Sequence, residues 1–180
     1  MVVFDTSFLS LAFDKTWNAP SDPATGKPLV KAKERIDFLI SSLDKSKDRI
    51  LIPTPVLAEY LVKAGQDREK RLEIFTSSKV YDVATFGMRE AVECSLIEDE
   101  DSKGKKVLND IATKAKVKFD RQIIAIAKVA GATTIYTGDT RLARVAKDNG
   151  LDAVLTWELP LPPEKSQQEL GLVVEGDESS

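Results

Sequence analysis

The chain has 180 residues, no histidine and a single cysteine, Cys94. Those two counts exclude Ser-His-Asp and Cys-His nucleophilic mechanisms, which need an imidazole base. They also exclude histidine-containing and all-cysteine zinc sites and an internal disulfide framework. At 31% charged residues and a net charge of -3, chemistry near neutral pH falls to carboxylates, hydroxyls, lysines and arginines, a set that suits oxygen-preferring cations such as Mg2+ or Mn2+.

Length and a 42% hydrophobic content fit one domain with a sizeable core. The apolar N-terminal run is cut by Asp5 and lacks a basic start and a cleavage site, so it does not read as a signal peptide. No stretch reaches 18 consecutive apolar residues, so no membrane span is expected. The lone cysteine suits a reducing compartment, and the chain reads as soluble and cytoplasmic.

Met1 to Phe4 reads as a buried strand ending at Asp5, and Phe8, Leu9, Leu11 and Ala12 follow at helical spacing after three good capping residues. Residues 14–28, rich in proline around Trp17, read as an irregular loop. Leu29 to Leu43 reads as a helix, and Ile50 to Ile52 as a second strand. Thr54-Pro55 then starts a helix, with threonine as cap and proline in the first turn, that Gly65 ends. A helix over 67–76 and a strand over 80–84 come next. Two helices are expected at about 87–98 and 105–117, and a buried one over 122–130; Cys94 should be a core residue of the first. A strand over 133–136, a helix over 140–149 and a strand over 153–155 complete the pattern. Strands alternating with helices predict an α/β domain whose parallel sheet is covered on both faces. That domain should span residues 1–160. Residues 161–180, with Glu164, Glu169, Glu175, Asp177 and Glu178 against Lys165, read as a flexible acidic tail.

In a parallel sheet, ligands gather outside the carboxyl ends of the strands. Four acids are expected there: Asp5 after the first strand, Glu59 on the second turn of the helix after strand two, Asp120 where the 122–130 helix begins, and Asp139 in the turn Thr137-Gly138-Asp139. Each has a structural explanation of its own. Asp5, Asp120 and Asp139 suit helix caps, and Glu59 suits a solvated helix face. Together they form a converging set whose mutual repulsion a divalent cation would relieve. Thr6, Ser7 and Thr137 place hydroxyls beside the acids. A basic series including Lys114, Lys116, Lys118 and Arg121 reads either as a solvated helix face or as a phosphate-binding surface. Arg121, next to Asp120, suits a substrate phosphate or a salt bridge.

The segments Val3-Phe4-Asp5-Thr6-Ser7, Pro55-Val56-Leu57-Ala58-Glu59, Asp120 before Ile123-Ile124-Ala125, and Thr137-Gly138-Asp139 together resemble the PIN domain, over roughly residues 1–157. The resemblance implies a three-layer α/β/α sandwich with a central parallel sheet. It further implies a metal-dependent endoribonuclease in which Asp5, Glu59, Asp120 and Asp139 hold Mg2+ or Mn2+ and act in catalysis. Thr6, Ser7 and Thr137 would support that site. Apart from the resemblance, the basic series offers Lys118 and Arg121 as the residues to contact an RNA substrate. Small members similar to VapBC-type toxins form homodimers and are restrained by an antitoxin protein. Three features depart from that pattern: the long 14–28 loop, the acidic tail, and Arg141, which stands where many members carry a further acid. The alternative is a non-catalytic PIN scaffold that binds RNA or protein.

Overall fold

The computed structural model describes residues 1–14, 18–97 and 111–163. Its centre is a five-stranded sheet made of β1 (Val2–Phe4), β2 (Ile50–Pro53), β3 (Tyr81–Ala84), β4 (Thr134–Thr137) and β5 (Asp152–Leu155), in the order β3-β2-β1-β4-β5. Every pairing is parallel, with Val2 opposite both Ile50 and Thr134, Ile50 opposite Tyr81, and Thr134 opposite Asp152. The helices are α1 (Thr6–Phe13), α2 (Ala32–Ser46), α3 (Thr54–Ala64), α4 (Arg68–Ser77), α5 (Met88–Leu96), α6 (Ile111–Val129) and α7 (Thr140–Asp148). They flank the sheet in the three-layer α/β/α arrangement that alternating strands and helices predict.

Strands β1 and β2 are short and continuously apolar because both faces of the sheet are covered there. Val3, Phe4, Ile50, Ile52 and Ile135 are fully buried. Below the carboxyl end of β1, the rings of Phe4 and Phe8 lie 4.6 Å apart, and Tyr136 packs on both at 5.7 and 5.6 Å. This cluster clamps the end of β1 and the start of α1 to β4. Chain order reverses at that place, since β1 leads outward to β2 and β3 on one side while β4 and β5 lie on the other. Such a switch point opens a crevice between neighbouring loops.

Several sequence expectations change. Asp120 does not open a helix. Residues 111–129 form one continuous helix, with no glycine or proline between 118 and 121 to break it, and the run Val117, Ile123, Ile124 and Ala127 stays buried along it. The part of the expected 105–117 helix before residue 111 lies outside the described residues. Helix α2 starts at Ala32 rather than Leu29. The preceding residues instead form a small turn in which Ser21 bridges Pro28 and the Leu29 N–H donates to the Pro20 carbonyl at 2.8 Å. Thr54 is the first helical residue of α3 rather than its cap, a place that Pro53 takes. Cys94 is only half-buried, because α5 packs along α6 and buries none of its residues fully. Trp17 and residues 164–180, most of the expected tail, lie outside the described residues. Among the described residues no helix is long and apolar enough to cross a membrane.

Candidate active site

Asp5 is the hinge of the crevice. It directly follows β1, its N–H donates to the Tyr136 carbonyl of β4 at 3.2 Å, and it caps α1 by accepting from the Phe8 N–H at 2.7 Å. Its carboxylate also accepts from Ser7 Oγ at 2.8 and 3.0 Å and from Thr137 Oγ1 at 2.5 Å. The residue is 5% exposed. Burial pushes its pKa up to about 6, against the hydrogen bonds from Thr137, Phe8 and Ser7, with the nearby Asp139 charge adding to the rise. The two hydroxyls also tie the β4 turn in place. Ser7 Oγ accepts from the Gly138 N–H and Thr137 Oγ1 from the Asp139 N–H, both at 2.8 Å. A Cβ on Gly138 would stand 3.0 Å from Ser7 Oγ, so any larger residue here would press on the Ser7 hydroxyl.

The other three acids each meet a cation. Asp139 caps α7, its Oδ1 accepting from the Arg141 and Leu142 N–H groups at 2.8 and 3.3 Å, while its Oδ2 faces Lys116 Nζ at 2.5 Å. Burial works to raise its pKa, but the Lys116 hydrogen bond and charge and the two backbone donors outweigh it and hold the group below its ordinary value. Glu59 accepts from Thr6 Oγ1 at 2.8 Å and pairs with Lys63 Nζ at 3.0 Å. There too desolvation acts to raise the pKa, and the Thr6 and Lys63 contacts overcome it and lower the value. Asp120, 6% exposed in the interior of α6, pairs with Arg141 Nη1 through Oδ2. Burial pushes its carboxyl up to about 6 despite the guanidinium, and Asp139 adds to the rise.

These groups line one cavity of about 410 Å³, walled by Asp5, Thr6, Ser7, Glu59, Asp120 and Asp139 together with Lys63, Lys116 and Phe119. The four sequence-nominated acids therefore share a single crevice, with Thr137 behind Asp5. Lys118 and Arg121 do not line it. Of the basic residues that do line it, Lys116 belongs to the series the sequence offers as a phosphate-binding surface, whereas Lys63 escapes the sequence reading. The misplaced helix boundary explains why Lys118 and Arg121 are singled out instead of Lys116. With α6 continuous, Lys116 lies four residues before Asp120, on the same face, whereas Lys118 and Arg121 point elsewhere. Phe119, 48% exposed at the cavity, escapes it for the same reason. Lys63 lies four residues after Glu59, a spacing legible in the sequence.

The family model described as PIN domain matches residues 2–148. The chain belongs to the PIN domain family. Among solved structures, this PIN domain is similar to VapBC2 from Rickettsia felis bound to a DNA fragment from its promoter, with 18% identity and a TM-score of 0.55, covering 86% of this chain and 98% of that one. It is also similar to DNA-bound VapBC from Salmonella typhimurium, with 15% identity and a TM-score of 0.51, covering 86% and 97%. At such identities the likeness concerns the fold. No curated protein matches the sequence.

PIN nucleases generally use divalent metals, and the donor set of this PIN domain, all carboxylate and hydroxyl oxygen, fits a hard divalent cation. As placed, no group of three or more acidic or cysteine side chains among the described residues forms a ready-made ligand cluster. Glu59, Asp120 and Asp139 each turn at least one oxygen to a lysine or arginine instead. A buried Asp5 whose partners are all neutral donors and which sits beside a second carboxylate is the position a cation would relieve most.

Proposed function

We propose that this PIN domain is a Mg2+- or Mn2+-dependent endoribonuclease that hydrolyses RNA phosphodiester bonds and serves as the toxin of a toxin–antitoxin pair. One observation carries the catalytic part: Asp5, Glu59, Asp120 and Asp139, from four different helices or their caps, line one crevice at the switch point of the sheet. Capping accounts for Asp5 and Asp139, but a buried aspartate inside a 19-residue helix has no such explanation. The likeness to VapBC structures supports the toxin part and, with it, a cognate antitoxin; the homodimer is carried over from the family resemblance alone.

In this reading Asp5, Glu59, Asp120 and Asp139 hold the ion. When bound, the ion lowers the pKa of a water and offsets charge developing on the phosphoryl group. Thr6, Ser7 and Thr137 keep the carboxylates oriented through the hydrogen bonds described above. Lys63 and Lys116, half-exposed at the rim, exchange their carboxylate partners for phosphate oxygens of the substrate. Lys118 and Arg121, on neighbouring turns of α6, meet phosphates further along the strand.

The alternative, a non-catalytic PIN scaffold that binds RNA or protein, draws support from the cations already paired with three of the four acids. Cleavage decides between the two. The wild-type chain should cut a structured RNA with Mn2+ and stop with EDTA, while Asp5→Asn and Asp120→Asn stay folded and fall to the EDTA level. Cleavage by both variants at the wild-type rate would remove the proposed site. Cutting DNA of the same sequence equally fast would remove the RNA assignment, and sedimentation with and without a co-expressed neighbouring protein tests the dimer and antitoxin.

A further inference from the structure

Resting on the metal-dependent reading above, we propose that Arg141 takes the place of a second metal ion, so that the site holds one divalent cation with a fixed guanidinium beside it. Three observations carry this. First, a carboxylate that bridges two ions needs both oxygens, and Asp120 Oδ2 is engaged by Arg141 Nη1. Asp139 has one oxygen committed to the α7 N-terminus and the other facing Lys116.

Second, the pairs differ in how readily they yield. The Lys116 and Lys63 side chains are 55% and 50% exposed, and surface ion pairs of that kind contribute little. Arg141 and Asp120 are 19% and 8% exposed. Pulling the guanidinium off would leave a charge stranded in a desolvated place. An entering ion therefore parts the lysines from their carboxylates, leaving both ammonium groups at the rim of the crevice, and leaves Arg141 where it is.

Third, the charge balance favours one ion. Four carboxylates against Lys63, Lys116 and Arg141 leave one net negative charge at the site. One divalent ion turns this to a single positive charge, which a phosphodiester neutralises. Two ions would raise it to three positive charges in a partly buried crevice, of which a phosphodiester offsets only one. Arg141 also rises from the first turn of α7, where Asp139 caps the same helix, so it is held on the element that carries one of the ligands. It acts as a positioning residue, setting the orientation of Asp120 and the number of ions.

The test counts Mn2+ per chain by the loss of the free-ion electron paramagnetic resonance signal, with circular dichroism as a check on folding. Wild type should bind about one Mn2+, and Arg141→Asp, which removes the guanidinium and adds a carboxylate, about two. Arg141→Gln, which keeps a neutral side chain, covers the case in which Arg141→Asp fails to fold, and should also take up a second, weaker ion. Wild type binding two ions overturns the proposal, as does a count of one in each folded Arg141 variant. If wild type binds no Mn2+ at all, the metal reading of the carboxylates falls first and this inference with it.

Discussion

Replacing Asp5 by asparagine should make the EDTA-treated protein more stable at neutral pH while abolishing its chemistry. The carboxyl is buried and its pKa is pushed from 3.8 up to about 6. Its folded pKa thus lies above the unfolded one, so the folded state binds the proton more tightly. The contribution is fully present below pH 4 and is lost as pH rises through 6. Integrating that difference, wild type loses on the order of 2 kcal/mol of stability at this one group between pH 4.5 and 7.5. The substituted amide carries no charge and escapes the loss. It keeps an acceptor for the Phe8 N–H but presents N–H to the Thr137 hydroxyl, which already accepts from the Asp139 N–H. That mismatch costs about 1 kcal/mol at both pH values and cancels in the comparison. Urea denaturation of wild type and Asp5→Asn in EDTA at the two pH values isolates the charge contribution. The stability of the variant relative to wild type should rise by about 2 kcal/mol from pH 4.5 to 7.5. A difference that is flat with pH, or one that falls, would refute the claim that Asp5 is a desolvated carboxylate held ionised at a cost. Adding Mn2+ at pH 7.5 should then stabilise wild type and leave the variant unmoved.

Mn2+ affinity should weaken as pH falls through about 6, because protons then compete with the ion at Asp5 and Asp120; calorimetry in buffers of different ionisation enthalpy should detect proton release at pH 5.5 and little at pH 8. Gly138→Ala should destabilise the chain by about 1–3 kcal/mol through overpacking against Ser7 Oγ. The same change in a Ser7→Ala background should cost less, and equal costs in the two backgrounds would place the strain elsewhere. Lys116→Gln should shift stability by less than about 1 kcal/mol, since the lysine is half-exposed, yet raise KM for RNA; an unchanged KM would detach Lys116 from substrate binding. Phe119→Ala should leave the melting temperature nearly unchanged and weaken single-stranded RNA binding by about 1–3 kcal/mol, the worth of a stacked base, as read by fluorescence anisotropy.

Much of this architecture is legible in the sequence because its signals are local. Short apolar runs punctuated by Asp5, Pro53 and Gly138 announce parallel strands and the turns after them, and the spacing in α7 marks a half-buried helix. Asp5 and Asp139 are readable because a capping aspartate at a strand-to-helix turn must stand at the carboxyl edge of the sheet. Asp120 reaches the site for a different reason from the one its sequence context suggests. It reads as the start of a helix, yet it sits within one, since an aspartate's preference for caps is worth only about 1 kcal/mol and the buried side of α6 outweighs it. That misplaced boundary points to Lys118 and Arg121 and away from Lys116 and Phe119.

The chain's composition and periodicity determined which chemistry was open to it, a sheet edge carrying hydroxyls and carboxylates with no imidazole. Only the tertiary structure decided which charges meet. Arg141 and Asp120 are 21 residues apart, Thr137 and Asp5 are 132 apart, and nothing in local spacing couples them. They are joined because the sheet order puts β4 beside β1 and α6 passes over the same edge. A side-chain pairing of that kind depends on where whole elements come to rest, and residue periodicity reports only which face of each element is buried.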